Sequence, residues 1–187
     1  AAAETYMGLV EVGVGVIPSG GGVKEMLIRF NQSTEAKHVL GTMQERVNDV
    51  FKRIGMAHVS TSAVHAKELG YLRERDRISM NEDYLLHDAK QAVLQLAGDG
   101  YLPQTPAEVP VVGETGYSVL KMGAYAMLKS GQISEHDYKI ADKLAYVLTG
   151  GRVPEGTRVT EQYLLDLERE AFLSLCGEPK TQARMQH

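Results

Sequence analysis

The chain has 187 residues, a formal net charge of −4, 43% hydrophobic residues and a single cysteine, Cys176. That length allows one compact domain or a large piece of one, with a substantial core, and the acidic balance argues against a nucleic acid or an anionic membrane surface as partner. One cysteine cannot close an intramolecular disulfide, which fits a reducing compartment, with the cytoplasm as the expected location.

No apolar run approaches the roughly 18 residues of a membrane span, and the N-terminus lacks the basic start of a secretory signal. The chain opens on Ala1 and moves almost at once into a strand-like, glycine-rich run, so it is expected to be cut from something longer. Residues 5–17 are rich in β-branched and aromatic types with interspersed glycines, which predicts one or two short strands. The glycine turn after Pro18 opens a helix over Val23 to Phe30, and the longest periodic segment follows, with Leu40, Met43, Val47, Val50, Phe51 and Ile54 at helical spacing and Gly55 as its stop.

A shorter helix is predicted from Ser62, with Ala63, Ala66 and Leu69 on one side and Gly70 closing it. Asn81 caps the next, whose stripe of Leu85, Ala89, Val93 and Leu96 is expected to face inward. Residues 98–112, rich in proline and glycine, read as an ordered surface connection. Helices over Glu114 to Lys129, Glu135 to Leu148 behind a Ser134/Asp137 capping box, and Glu161 to Leu175 behind Thr160 complete the chain. Their one-sided stripes are Tyr117, Leu120, Ala124 and Met127; Ala141, Leu144, Ala145 and Leu148; and Leu164, Leu167, Ala171, Phe172 and Leu175. A short strand pair followed only by helices has no obvious sheet to join, and an isolated pair is marginal in water. The missing sheet is expected upstream of Ala1 or from another copy of the chain.

Gly13 and Gly15 start like a dinucleotide fingerprint, but Pro18 stands where its third glycine belongs. Gly20, Gly21 and Gly22 lack the Lys-Ser/Thr continuation of a phosphate loop; they still place backbone N–H groups at a helix start, which favours an anion, the alternative being a plain strand-to-helix turn. His38, His58, His65, His87, His136 and His187 form no pair at metal-ligand spacing, and Ser19 has no local base. Glu11 lies among Leu9, Val10, Val12, Val14 and Val16 in the predicted strand. Burial there would raise its pKa and suit a general acid, the alternative being an edge-strand glutamate facing water. The clusters Arg73 to Arg77 and Glu168 to Glu170 mix signs and read as solvated faces.

The run from Glu4 to Gly22, with Glu11 followed by Ile17, Pro18, Ser19, Gly20, Gly21 and Gly22, resembles the second active-site signature of the crotonase (enoyl-CoA hydratase/isomerase) family, and the Ser62 to Leu72 segment resembles the helix that follows in that fold. The segments Asp76 to Asn81, Val111 to Tyr117 and Glu161 to Phe172 resemble bacterial 3-hydroxyacyl-CoA dehydrogenases of fatty-acid β-oxidation, in which an NAD-binding dehydrogenase precedes a crotonase-like region. The resemblance implies a mainly α fold with a short β remnant at the N-terminus, the C-terminal part of a crotonase-like ββα spiral. Within it, residues 1–30 would hold the signature, 31–59 a helical insertion of unassigned role and 60–187 a helical C-terminal region.

By the same resemblance Glu11 is the second catalytic glutamate, with Val10, Ser19 and Gly20 binding substrate, and acyl-CoA is the substrate. The first glutamate and its oxyanion donor would lie upstream, so the chain alone should be inactive. It would need no metal or cofactor of its own, NAD belonging to the upstream dehydrogenase region, which is also the expected partner beside a second copy of the chain. Ser19 departs from the glycine of the family turn. Enoyl-CoA isomerisation, and a non-catalytic docking or oligomerisation module, remain the alternatives.

Overall fold

The computed structural model describes residues 1–32, 42–103, 105–106 and 108–186. What was expected of His38, Leu40, His187 and part of the 31–59 insertion lies outside them. In chain order the elements are a 3-10 turn (Glu11–Val14), α1 (Gly22–Gln32), α2 (Met43–Gly55), α3 (Ala63–Glu68), a second 3-10 turn (Glu82–Tyr84), α4 (Leu85–Gly98), β1 (Val109–Pro110), α5 (Gly113–Lys129), α6 (Glu135–Leu148), β2 (Arg158–Val159), α7 (Glu161–Cys176) and α8 (Pro179–Met185). The fold is mainly helical. The chain forms two compact units, Leu9–His58 with Ala107–His187, and Ala1–Gly8 with Val59–Pro106.

In the larger unit, helix ends follow local chemistry. Thr42 and Glu45 form a reciprocal capping box at α2, Ser134 and Asp137 another at α6, and the Thr160 hydroxyl accepts from the Tyr163 amide at 3.1 Å to open α7. Each helix then buries the stripe its spacing dictates. Leu144, Ala145, Val147 and Leu148 put α6 at the centre of this core, where α1, α2, α5 and α7 all pack against it. Val47, Val50 and Ile54 of α2 and Leu164 and Leu175 of α7 are fully enclosed. β1 and β2 pair antiparallel, Val109 opposite Val159, and close a loop over this core.

The smaller unit is thinner. Ser62 caps α3 through the His65 amide, and Ala63 and Ala66 are fully buried. Two single bridges, Ala2 with Ser79 and Gly8 with Val59, hold its N-terminal stretch. The Ser60 hydroxyl joins them, accepting from Met7 N at 3.0 Å and donating to Thr5 O at 3.3 Å.

Two expectations are corrected. Residues 5–17 form no strand; they carry a single bridge and a 3-10 turn, and the two-stranded sheet lies instead at 109–110 and 158–159. A β-rich composition makes a strand only where a ladder partner exists, and Gly15 at φ 92 turns the chain out of extended geometry. The stripe on α4 does not face inward: Leu85 is half-buried, Ala89 is exposed, and Val93 and Leu96 are 64% and 49% exposed. Helical periodicity marks a face that can be covered; it does not supply the cover. No helix among the described residues is long and apolar enough to cross a membrane.

Candidate functional site

The segment from Val10 to Lys24 carries the residues singled out from the sequence, and it turns twice. Val10, 48% exposed, precedes the 3-10 turn whose first residue is Glu11. The Gly15 amide closes the turn on the carbonyls of Glu11 and Val12. Glu11 is half-buried, and its Oε2 is buried with no hydrogen-bond partner among the described residues. An orphaned carboxylate oxygen is costly unless something polar completes it. The chain then runs through buried Val16, Ile17 and Pro18 to half-buried Ser19, exposed Gly20 and buried Gly21, after which α1 begins at Gly22.

Two long-range contacts hold these turns. Thr181 on α8 is fully buried and donates its hydroxyl to Gly15 O at 2.7 Å. Its oxygen therefore accepts from His136 Nε2 on α6 at 2.9 Å, which makes the buried imidazole the Nε2–H form. A Cβ on Gly15 would lie 2.8 Å from Thr181 Oγ1 and 3.0 Å from its Cα, so this close approach of α8 needs glycine there. Burial, with the Arg184 guanidinium next in weight, pushes the His136 pKa down.

The second contact is Glu168. Expected on a solvated face, it is 0% exposed: Oε2 accepts from the Gly21 amide at 2.8 Å and Oε1 from the Lys24 amide at 2.6 Å. The anion favoured by the glycine-opened helix is thus supplied by the protein itself, from 147 residues along the chain. Burial pushes Glu168 up, the two amides and Lys24 pull it down, and the nearby Glu11 carboxylate pushes it up again. Lys24 Nζ pairs with Glu25 Oε1 at 2.7 Å and Glu161 Oε2 at 2.8 Å. Burial would lower the Lys24 pKa, yet those two carboxylates raise it above the usual lysine value.

The neighbouring Arg169 and Glu170 disguise Glu168 as part of a solvated charge cluster. Its position held the signal, since it falls at helical spacing on the stripe of Leu164, Leu167, Ala171, Phe172 and Leu175. Of the residues predicted, Glu11 and the Ser19–Gly21 turn are linked through Glu168, which binds Gly21 and lies within electrostatic reach of Glu11. Among the described residues Ala57 is the non-glycine with positive φ, so Ser19 adopts an ordinary backbone conformation and a glycine is not required there. Among the described residues no group of three or more His, Cys, Asp or Glu could hold a metal ion. Gly13 and Gly15 lie in and after a 3-10 turn, which is not the strand-to-helix turn of a dinucleotide site.

Over all 187 residues the chain is 54% identical to a Bacillus subtilis protein named "Probable 3-hydroxyacyl-CoA dehydrogenase", covering 23% of that protein. It is 26% identical over 183 residues to a Rickettsia prowazekii protein and 27% identical over 178 residues to one from Rickettsia felis, each named "Putative fatty acid oxidation complex trifunctional enzyme". These stretches cover 98% and 95% of this chain and 22% and 21% of those proteins. The chain therefore spans less than a quarter of the length of the curated relatives it matches. No family model matches it. No solved structure matches it.

Proposed function

We propose that this chain is part of a fatty-acid β-oxidation enzyme, a 3-hydroxyacyl-CoA dehydrogenase that also hydrates enoyl-CoA, and that it contributes one half of the hydratase site. The observation that carries the β-oxidation reading is the 54% identity across the whole chain to a protein bearing the dehydrogenase name. The hydratase half rests on Glu11, whose buried Oε2 has no hydrogen-bond partner among the described residues and so is left for a substrate to meet.

In this reading water oxygen adds to the β-carbon of a trans-2-enoyl thioester and gives its proton to the other glutamate, outside this chain, while Glu11 delivers a proton to the α-carbon; proton exchange between the two carboxyl groups through solvent then restores both. Val10, Ser19 and Gly20 line the substrate side. NAD serves the dehydrogenase reaction in another region of the polypeptide; the glycines of this chain do not fit it, and no step here runs through it.

The test is hydration of crotonyl-CoA, followed by loss of its ultraviolet absorbance, by the intact gene product and by residues 1–187 alone. The intact protein should be active and the isolated chain silent, and Glu11→Gln in the intact protein should lower kcat by at least about 100-fold. An active isolated chain, or an unimpaired Glu11→Gln protein, overturns the half-site. A second reading, a docking or oligomerisation module, is favoured by one observation: Leu86, Val93, Leu94 and Leu96 of α4 lie exposed. In that case the Glu11→Gln protein would match the wild type.

A further inference from the structure

The contact between α7 and the start of α1 has a form that packing alone does not require. Gly21, with φ 97 and no side chain, cannot cap α1 locally, so the amides of the first turn need an acceptor from elsewhere. Glu168 reaches them with both carboxylate oxygens, one on Gly21 and one on Lys24. A carboxylate removed wholly from water is retained at a cost, and an apolar side chain at the same place on the α7 stripe would avoid it. The first amide it holds, that of Gly21, lies immediately beyond Ser19 and Gly20, the residues that face substrate in the hydratase reading.

We propose that Glu168 is a positioning residue of the Glu11 site: by holding the amides of Gly21 and Lys24 it fixes the glycine turn so that Ser19 and Gly20 present their backbone to the acyl thioester. This deepens the hydratase reading and rests on it. Because Glu168 occupies those two amides, the thioester oxygen is met by other donors. The carboxylate itself is fully enclosed and touches no substrate.

The test uses the intact gene product with crotonyl-CoA. Glu168→Gln keeps one acceptor and Glu168→Met keeps none, so kcat should fall at least about 10-fold in the first and further in the second, with KM within about twofold of wild type. Deuterium uptake by peptides covering residues 19–26 should be slow in the wild type and fast in Glu168→Met. If these variants misfold, Glu168→Asp, which keeps the charge but withdraws it by one methylene, should show the same split between kcat and KM. Wild-type kcat in the folded variants, or fast exchange of that segment in the wild type, overturns the positioning role while leaving the hydratase reading standing. A wild-type protein that does not hydrate crotonyl-CoA overturns both.

Discussion

Two buried polar residues, Thr181 and His136, connect the C-terminal helix to the turn bearing Glu11, and their chemistry makes the connection sensitive to acid. The relay from His136 Nε2–H through the Thr181 hydroxyl to Gly15 O is buried, and it is the burial, rather than the Nε2–H donor that neutral and charged rings share, that disfavours the charged imidazole. Burial is the largest influence on the ring and disfavours its charged form, as do Arg184 and Lys180, while Glu178 and Asp137 favour it. The folded-state pKa of His136 is thus below its unfolded value of 6.5. Between those two values the unfolded chain binds more protons, so stability is fully present above about pH 6.5 and is lost as pH falls through the folded value. Urea unfolding at a series of pH values should show midpoints falling from pH 7 to 5. In His136→Gln, which retains an N–H for Thr181, that fall should be shallower. Equal slopes would mean that another group titrates there. Asp137 contributes separately at lower pH: burial would raise it, but Ser134 and Arg184 hold it below 3.8, so its contribution disappears only as pH falls below that value.

At the scale of elements, helix starts were legible wherever the signal and its consequence lie within four residues. Ser62, Ser134 and Thr160 accept from the amide three residues on, whereas Asn81, expected to cap α4, accepts from the Asp83 amide and caps the 3-10 turn before it, so that α4 starts at Leu85 with no side-chain cap. The box at α2, which the apolar spacing of that segment did not reveal, joins exposed Thr42 reciprocally to Glu45 and is open to measurement. Thr42→Ala should destabilise by about 1 kcal/mol, read as a lower urea midpoint at unchanged m-value. No change would mean that the α2 packing of Val47, Val50 and Ile54 sets the start of the helix by itself. Residues 5–17 form no strand because β propensity reports fitness for a pleated, partly covered surface, and they meet a single bridge partner rather than a ladder. The α8 helix was not separated from its surroundings in the sequence; Pro179 in its first turn is the local signal that marks it.

At the scale of the molecule, the apolar residues of α4 bear on association. Its stripe has the periodicity of a covered helix and the exposure of an uncovered one. In the oligomer reading, sedimentation of the chain across micromolar concentrations should show a dimer or larger species. Val93→Lys combined with Leu96→Lys should return it towards monomer, with a change in unfolding free energy of no more than about 0.5 kcal/mol for each exposed site. A clean monomer throughout would set the oligomer aside.

The amino-acid sequence alone determined where most helices run, which residues open them and which stripes α2, α5, α6 and α7 bury, since capping and periodicity act over a few residues and survive any packing arrangement. It also singled out Glu11, because a carboxylate amid valines is conspicuous without coordinates. Only the tertiary structure decided that the glycine turn binds the protein's own carboxylate, that Thr181 bridges His136 and Gly15, and that the stripe on α4 is left open. Those outcomes depend on partners far apart along the chain: Glu168 lies 147 residues from Gly21, and Thr181 lies 166 from Gly15. No local propensity encodes such a pairing, because an acceptor and a donor acquire their energetic value only when packing removes both from water.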